Sequence, residues 1–254
     1  MKTIALFNQK GGVGKTTSAA NIGAGLSRLG KRVLLIDMDP QANLTFSLGF
    51  DPYNMDVSVY ELLGGKAALA QATKPRDGFD LIPADIQLAG AEIQFAGVMG
   101  RETLLRDALQ GAAGYDFILV DCPPSLGLLT INALAYCQKV IIPIEAELLP
   151  LQGLRQLMDT VELVQRRVNP KIEIAGVITT FYDPRKLIQR EVIGQIGEMF
   201  GDRVYKSNIR VNVALAEAPG KGQTIFEYNP DSNGAADYTA LCQEILTREG
   251  GQNG

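Results

Sequence analysis

The chain has no histidine at all, and only three cysteines in 254 residues. Without histidine there is no imidazole acid or base, no Ser-His-Asp triad and no His-ligated zinc. Cys122, Cys137 and Cys242 are odd in number and lack C-x-x-C spacing, which excludes a disulfide framework and predicts free thiols in a reducing cytoplasm. No apolar run approaches the roughly 20 residues that span a bilayer, so no membrane association through a spanning helix is expected. The N-terminus enters an apolar segment at once, so neither a signal peptide nor an extra N-terminal domain is expected. The net charge of −4 rules out a polycation. What chemistry there is must rest on carboxylates, lysines and a metal held by oxygen. A hydrophobic fraction of 46% is ample for a full core.

The most informative run is Lys10-Gly11-Gly12-Val13-Gly14-Lys15-Thr16-Thr17. It approximates G-x-x-x-x-G-K-[ST], with Gln9 where the first glycine would stand and an additional lysine, Lys10, just inside the loop. Glycines let successive backbone N–H groups converge on a phosphate. Lys15 would neutralise the β- and γ-phosphates, and the Thr16 hydroxyl would ligate Mg²⁺. The context agrees. Thr3 to Phe7 reads as a buried strand and Thr17 to Leu29 as a helix stopped by Gly30, so the phosphate would sit on a helix N-terminus.

Apolar strands then alternate with helical segments, which predicts an α/β fold: a mostly parallel twisted sheet with helices on both faces. Strands are expected at 32–37, 116–121, 139–143 and 172–180, and helices at 101–110, 127–136, 151–167, 186–200 and 234–248. Residues 49–80 read as short helices and loops on one edge of the sheet. One domain over 1–249 is expected, with a frayed tail at 250–254. Residues 151–221 hold 11 of the 24 Lys+Arg and 8 of the 28 Asp+Glu, a local net of +3 that allows a modest basic face.

Two strands end in carboxylate. Asp121 closes the strand 116–121 and fits a Walker B aspartate that holds Mg²⁺ directly or through water. The stiff Cys122-Pro123-Pro124-Ser125 follows it and is suited to sensing a γ-phosphate. Asp37-Met38-Asp39-Pro40-Gln41 closes the second strand. Alternation would put Asp37 and Asp39 on one side, one toward a metal-bound water and the other toward an attacking water. Ligands of open α/β sheets bind beyond the carboxyl ends of strands, so the loop, Asp37 and Asp121 should converge.

These motifs together resemble the ParA/Soj-type partition ATPases, within the wider ParA/MinD group. Asn8 to Thr17 resembles the deviant Walker A motif, Asp37 to Asn43 the second acidic motif, and Val120 to Ser125 the Walker B and switch region. Leu215-Ala216-Glu217-Ala218-Pro219 with Gly222-Gln223-Thr224-Ile225 resembles the C-terminal signature. The similarity runs nearly the whole chain and is to the short form, without an N-terminal DNA-reading domain. It implies a Mg²⁺-dependent P-loop ATPase binding ATP through Lys10, Gly11, Gly12, Val13, Gly14, Lys15, Thr16 and Thr17. It implies an ATP-dependent homodimer in which Lys10 reaches the partner's phosphates, with Asp39 as hydrolytic carboxylate, Thr16, Asp37 and Asp121 at the metal, and Asn212 beside adenine. The implied partners are non-specific DNA and a ParB-like stimulating protein, and the implied place is the nucleoid. Arg185 matches a DNA-binding position. Relatives commonly read Ile-Pro-Arg-Asn-Val-Arg-Leu where this chain reads Ile209 to Leu215, so Ala214 replaces an arginine and Arg210 a proline; the basic surface would then centre on Arg185 and Arg210. A membrane-binding ATPase resembling MinD would need a basic amphipathic C-terminal helix, which Leu241 to Glu249 does not offer. A cluster-carrying relative would need placed thiolates, and the three cysteines are not so spaced.

Overall fold

A computed structural model describes residues 1–146 and 151–250. Seven strands form one sheet in the order β3-β4-β2-β5-β1-β6-β7. They are β1 Lys2–Leu6, β2 Val33–Asp37, β3 Lys74–Arg76, β4 Phe79–Ile82, β5 Phe117–Asp121, β6 Lys139–Glu145 and β7 Glu173–Thr180. All neighbours pair in parallel except β3 with β4. The central strands are buried on both faces, which is why they read as unbroken apolar runs.

Alternation along each strand feeds two cores. Ala5, Leu34 and Ile36 point to one face, with the helices Leu128–Tyr136, Leu151–Arg167 and Leu187–Phe200. Ile4, Leu6, Val33 and Leu35 point to the other, under the P-loop helix Lys15–Arg28 and the closing helix Asn233–Gly250. These two helices pack closely. Ser18 and Tyr238 share a hydrogen bond of 3.1 Å, and a Cβ on Gly25 would lie 2.5 Å from the Cys242 sulfur. All three cysteines are free and buried. Among the described residues no helix is long and apolar enough to cross a membrane.

Two regions depart from expectation. Residues 49–80 carry short helices, Val59–Leu63 and Leu69–Ala72, but also the edge hairpin β3–β4. Pro75 is tolerated there because β3 is an edge strand, where one N–H is not needed by a neighbour. The expected helix 101–110 is broken into a 3₁₀ turn, Arg101–Thr103, and a short helix, Leu104–Ala108. The frayed tail expected from residue 250 lies outside the described residues apart from Gly250, which ends the closing helix.

That helix is pinned at the amino ends of two interior strands, the opposite end of the sheet from the P-loop. Glu249 meets Lys139 at 2.8 Å and Lys2 at 3.3 Å, at the starts of β6 and β1. Lys139 and Glu249 are both under a tenth exposed. Removing one member of a buried pair leaves the other charge uncompensated. Glu249→Gln is therefore expected to destabilise the fold by about 2–3 kcal/mol, less than for a fully isolated lysine because Lys139 keeps Glu173 at 3.2 Å. Urea denaturation followed by circular dichroism measures this.

Candidate active site

β1 lies between β5 and β6, and the chain leaves its carboxyl end through a glycine-rich turn. Gly12 and Gly14 adopt left-handed φ of 75° and 80°, a conformation that costs glycine little. Gly14 caps the P-loop helix, so that helix's first N–H groups open onto a cleft of about 550 Å³. Gly11, Gly12, Gly14, Lys15, Thr16, Thr17 and Asp39 line it. Val13 does not; it is wholly buried, and its carbonyl accepts a 2.9 Å bond from the Thr180 hydroxyl. Lys15 is buried, and its ammonium donates to the Lys10 carbonyl at 3.2 Å. Burial lowers the Lys15 pKa, while the charges of Asp121 and Asp39 oppose that shift.

Asp37 and Asp121 stand opposite one another at the ends of β2 and β5. Both are wholly buried. Asp37 is saturated by its own chain: one oxygen accepts from the Asp39 N–H (3.1 Å), the other from the Thr45 N–H (2.9 Å) and hydroxyl (2.7 Å). Asp37 turns inward and braces the loop, while Asp39 faces the cleft. Neither oxygen of Asp121 has a hydrogen-bond partner; the Thr16 hydroxyl eases its charge without reaching hydrogen-bond geometry. Burial raises the Asp37 pKa to about 6 despite its donors, and burial followed by the Asp37 charge raises that of Asp121 well above the usual range. An orphaned buried carboxylate beside a hydroxyl and a lysine is a donor set for a hard cation. Among the described residues no group of three His, Cys, Asp or Glu could hold a metal alone. A cation here would take its remaining ligands from a bound molecule or water, as Mg²⁺ commonly does.

A second pocket of about 300 Å³ adjoins the first and shares Gly14, Thr17, Phe181, Leu215 and Pro219 with it. Asn212 lies here. Its side-chain oxygen caps the helix Val213–Glu217 through the Leu215 N–H (3.3 Å), leaving the amide N–H₂ to a ligand. Arg76, in the unexpected edge hairpin, ties this wall together. It donates to the carbonyls of Leu48 and Gly222 (3.0 Å) and to both oxygens of Glu227 (2.9 and 2.8 Å). Nothing in its spacing marks it; Asp77-Gly78, a two-residue hairpin turn signal, is the cue to the strands that place it.

The remaining predicted cations are engaged elsewhere. Lys10 does not line the cleft and pairs with Glu145 at 2.8 Å. Arg210 edges the second pocket but makes a two-pronged pair with Asp237 (2.6 and 3.0 Å). Arg185 is highly exposed and chelates Asp183 two residues away (2.8 and 2.9 Å).

A family model described as an AAA domain matches residues 1–174. The chain is 47% identical over 247 residues to the sporulation initiation inhibitor protein Soj of Bacillus subtilis, covering 96% of this chain and 98% of that one. It is 46% identical to the chromosome-partitioning ATPase Soj of Thermus thermophilus, covering 98% and 96%. The chain belongs to the ParA/Soj family of partition ATPases. Its fold also matches the crystal structure of a Mycobacterium smegmatis protein titled cobyrinic acid a,c-diamide synthase, with bound ATP analogue and magnesium. The TM-score there is 0.88 at 37% identity, with 100% of this chain and 97% of that chain covered. The glycine turn, Lys15 and Asp39 of this ParA/Soj-family chain thus stand in a cleft of a fold that holds nucleotide in a solved relative.

The buried carboxylates carry a stability cost. Because their folded pKa values are raised, the native chain binds more protons than the unfolded one above about pH 4. Stability is lost as pH rises through about 6 for Asp37, and further for Asp121. Asp121→Asn is expected to stabilise the ligand-free protein by about 1–2 kcal/mol at pH 8 and to flatten its pH dependence between 6 and 8. Thermal melts across that range check both.

Proposed function

We propose that this chain is an ATP-driven partitioning ATPase whose ATP-bound pair holds DNA and is released on hydrolysis. The observation that carries the reading is the orphaned Asp121 carboxylate beneath Thr16 and Lys15, with Asp39 alone among the acidic residues lining the cleft. In this reading Gly11 to Thr17 cradle the phosphates, and Lys15 leaves the Lys10 carbonyl to meet the β- and γ-phosphates. Val13 takes part through its backbone alone. Adenine lies in the second pocket, against Phe181, Leu215 and Pro219 and beside the Asn212 amide. Thr16 and Asp121 would hold Mg²⁺, with Asp37 adding charge beneath while it fixes the Asp39 loop. The ion, when bound, neutralises charge developing on the phosphates. Asp39 orients the attacking water, which suits a reaction that is mostly positioning and charge stabilisation.

Lys10 is the cation left outside its own cleft, which suits a role on a neighbour's phosphates, as an arginine finger acts in trans. Two facing triphosphates repel unless each protomer supplies such a charge. DNA binding would follow from pairing. Arg185, Lys186 and Arg190 lie on one segment, and Lys206 and Arg210 on another that runs beside it through the Tyr182–Arg210 bridge. Lys186 and Lys206 are exposed with no ion pair among the described residues. The Arg185–Asp183 pair is exposed and cheap for a phosphate to displace, whereas Asp237 offsets much of the Arg210 charge. Such contacts are sequence-independent and salt-sensitive, which fits nucleoid association and release by a ParB-like partner.

Retention on non-specific duplex DNA is expected with ATP and not with ADP, falling steeply with salt. Equal, salt-insensitive retention with both nucleotides would overturn the reading. Lys15→Ala is expected to lose nucleotide binding, Lys10→Ala to lose the ATP-dependent pair in light scattering, and Asp39→Ala to trap that pair by slowing hydrolysis about 100-fold or more.

Arg76 gives a further check on the pocket assignment. Arg76→Lys keeps the charge but cannot bridge Leu48, Gly222 and Glu227 together. ATP affinity is expected to fall about fivefold to tenfold, with turnover at saturation little changed. Calorimetric titration and steady-state assays separate the two.

A further inference from the structure

Lys10 is held in place by its own chain through several bonds. Its N–H donates to the Asn8 side-chain oxygen (3.0 Å), and Asn8 in turn donates to the Pro143 carbonyl of β6 (2.8 Å). The Lys10 carbonyl accepts from Lys15. Its ammonium meets Glu145, the last residue of β6, at 2.8 Å. Gln9 reaches toward Thr160 on the helix Leu151–Arg167 at 3.3 Å. The start of the P-loop is thus stitched to β6 and the helix after it, with the lysine chain laid along that seam and away from the cleft.

We propose that Glu145 is a positioning residue that holds Lys10 in cis in the unpaired protomer and so raises the concentration at which ATP-bound protomers associate. The inference rests on the trans role for Lys10 given above. A lysine that serves a neighbour's phosphates cannot at the same time stay on Glu145, so each protomer must break this pair on association. The two partners are half-exposed and one-fifth exposed, so the pair is weak enough to be displaced by a triphosphate and strong enough to bias the lysine. ATP adds a second push. When Lys15 turns to the phosphates, the Lys10 carbonyl loses its donor, and the backbone that carries the side chain is held less firmly beside Glu145. ADP, lacking the γ-phosphate, offers the neighbour's lysine no comparable destination. The pair therefore acts as a threshold that only facing triphosphates overcome.

Glu145→Gln keeps the shape and removes the charge. Two measurements on the full chain test the proposal. In the nucleotide-free protein, acylation of Lys10 by a lysine-reactive ester, read by mass spectrometry against Lys31 as internal reference, is expected to rise about threefold to fivefold. With a slowly hydrolysed ATP analogue, the dissociation constant of the pair from sedimentation is expected to fall about tenfold, roughly threefold for each of two holds released. Glu145→Asp should return both readouts part-way to wild type. Unchanged labelling would overturn the cis hold. Labelling that rises while association stays the same or weakens would overturn the threshold role and place Glu145 among the contacts of the assembled pair. A wild-type chain that never associates with the analogue would overturn the trans role of Lys10 and this proposal with it, whereas the labelling arm still reports on the cis contact by itself.

Discussion

Two carboxylates set side by side at buried strand ends dominate the energetics of this molecule. Parallel pairing of β2 with β5 brings Asp37 level with Asp121, and the sheet's burial removes water from both. The chain answers the first with three hydrogen bonds and leaves the second unanswered. An isolated buried charge is among the most costly features a fold can keep, and it neutralises by taking up protons unless a cation arrives. The nearest resident cation, Lys15, is itself desolvated and turned to a carbonyl of its own loop. The carboxylate pair and the lysine thus form a set with charges that the free protein balances only in part. In the proposed reading, a polyphosphate carrying a hard cation would complete both sides at once, which would link ligand affinity to the cost of these buried charges.

That cost persists because the surroundings are over-determined. The P-loop helix is held along its length by the closing helix through Tyr238 and Cys242, and by Asn21, whose side-chain oxygen accepts from the Ile225 N–H at 2.8 Å. The closing helix is in turn fixed at its end by Glu249 on two lysines at the strand starts. Arg76 locks the loop after Pro219 to the edge hairpin. Segments more than a hundred residues apart in sequence are thereby tied to the walls of the cleft around the glycine turn.

Much of this was legible from spacing. The glycine turn, the acidic strand ends and the long helices announce themselves because each carries a periodic or compositional signal that local physics enforces. Helix 151–167 and the central strands fall where their apolar patterns put them. Arg76 was not legible, since its value lies in three acceptor residues, Leu48 in one distant segment and Gly222 and Glu227 in another, and no local pattern encodes that. The edge hairpin was obscured by Pro75 and by strands of three and four residues, too short for alternation to register. Asp37 shows another limit. Strand alternation assumes an extended chain, whereas the Asp39 N–H folds back onto the Asp37 carboxylate, a local bond that no spacing rule announces. The in-chain partners of Lys10 and Arg210 were likewise invisible, because Glu145 and Asp237 are distant in sequence.

Backbone strain is distributed in the same way as charge strain. Among the described residues only two other than glycine adopt left-handed φ, Ala42 at 50° and Phe181 at 52°. Each costs on the order of 1 kcal/mol or more. Phe181 lines the cleft, and Ala42 is a buried residue of the first core just beyond Asp39. Ala42 follows Pro40-Gln41 in the loop that carries Asp39, and it is held by its N–H on the Asp39 carbonyl at 2.8 Å and by the Phe46 N–H on its own carbonyl at 2.9 Å. Phe181 directly follows β7 and forms a wall common to both pockets. A relaxed loop at either place would let the acid or the aromatic wall drift from the glycine turn. The hydrogen bonds that enforce these conformations therefore do for geometry what burial does for Asp121: they spend stability supplied by the two cores to hold reactive groups in an arrangement the local sequence would not choose by itself.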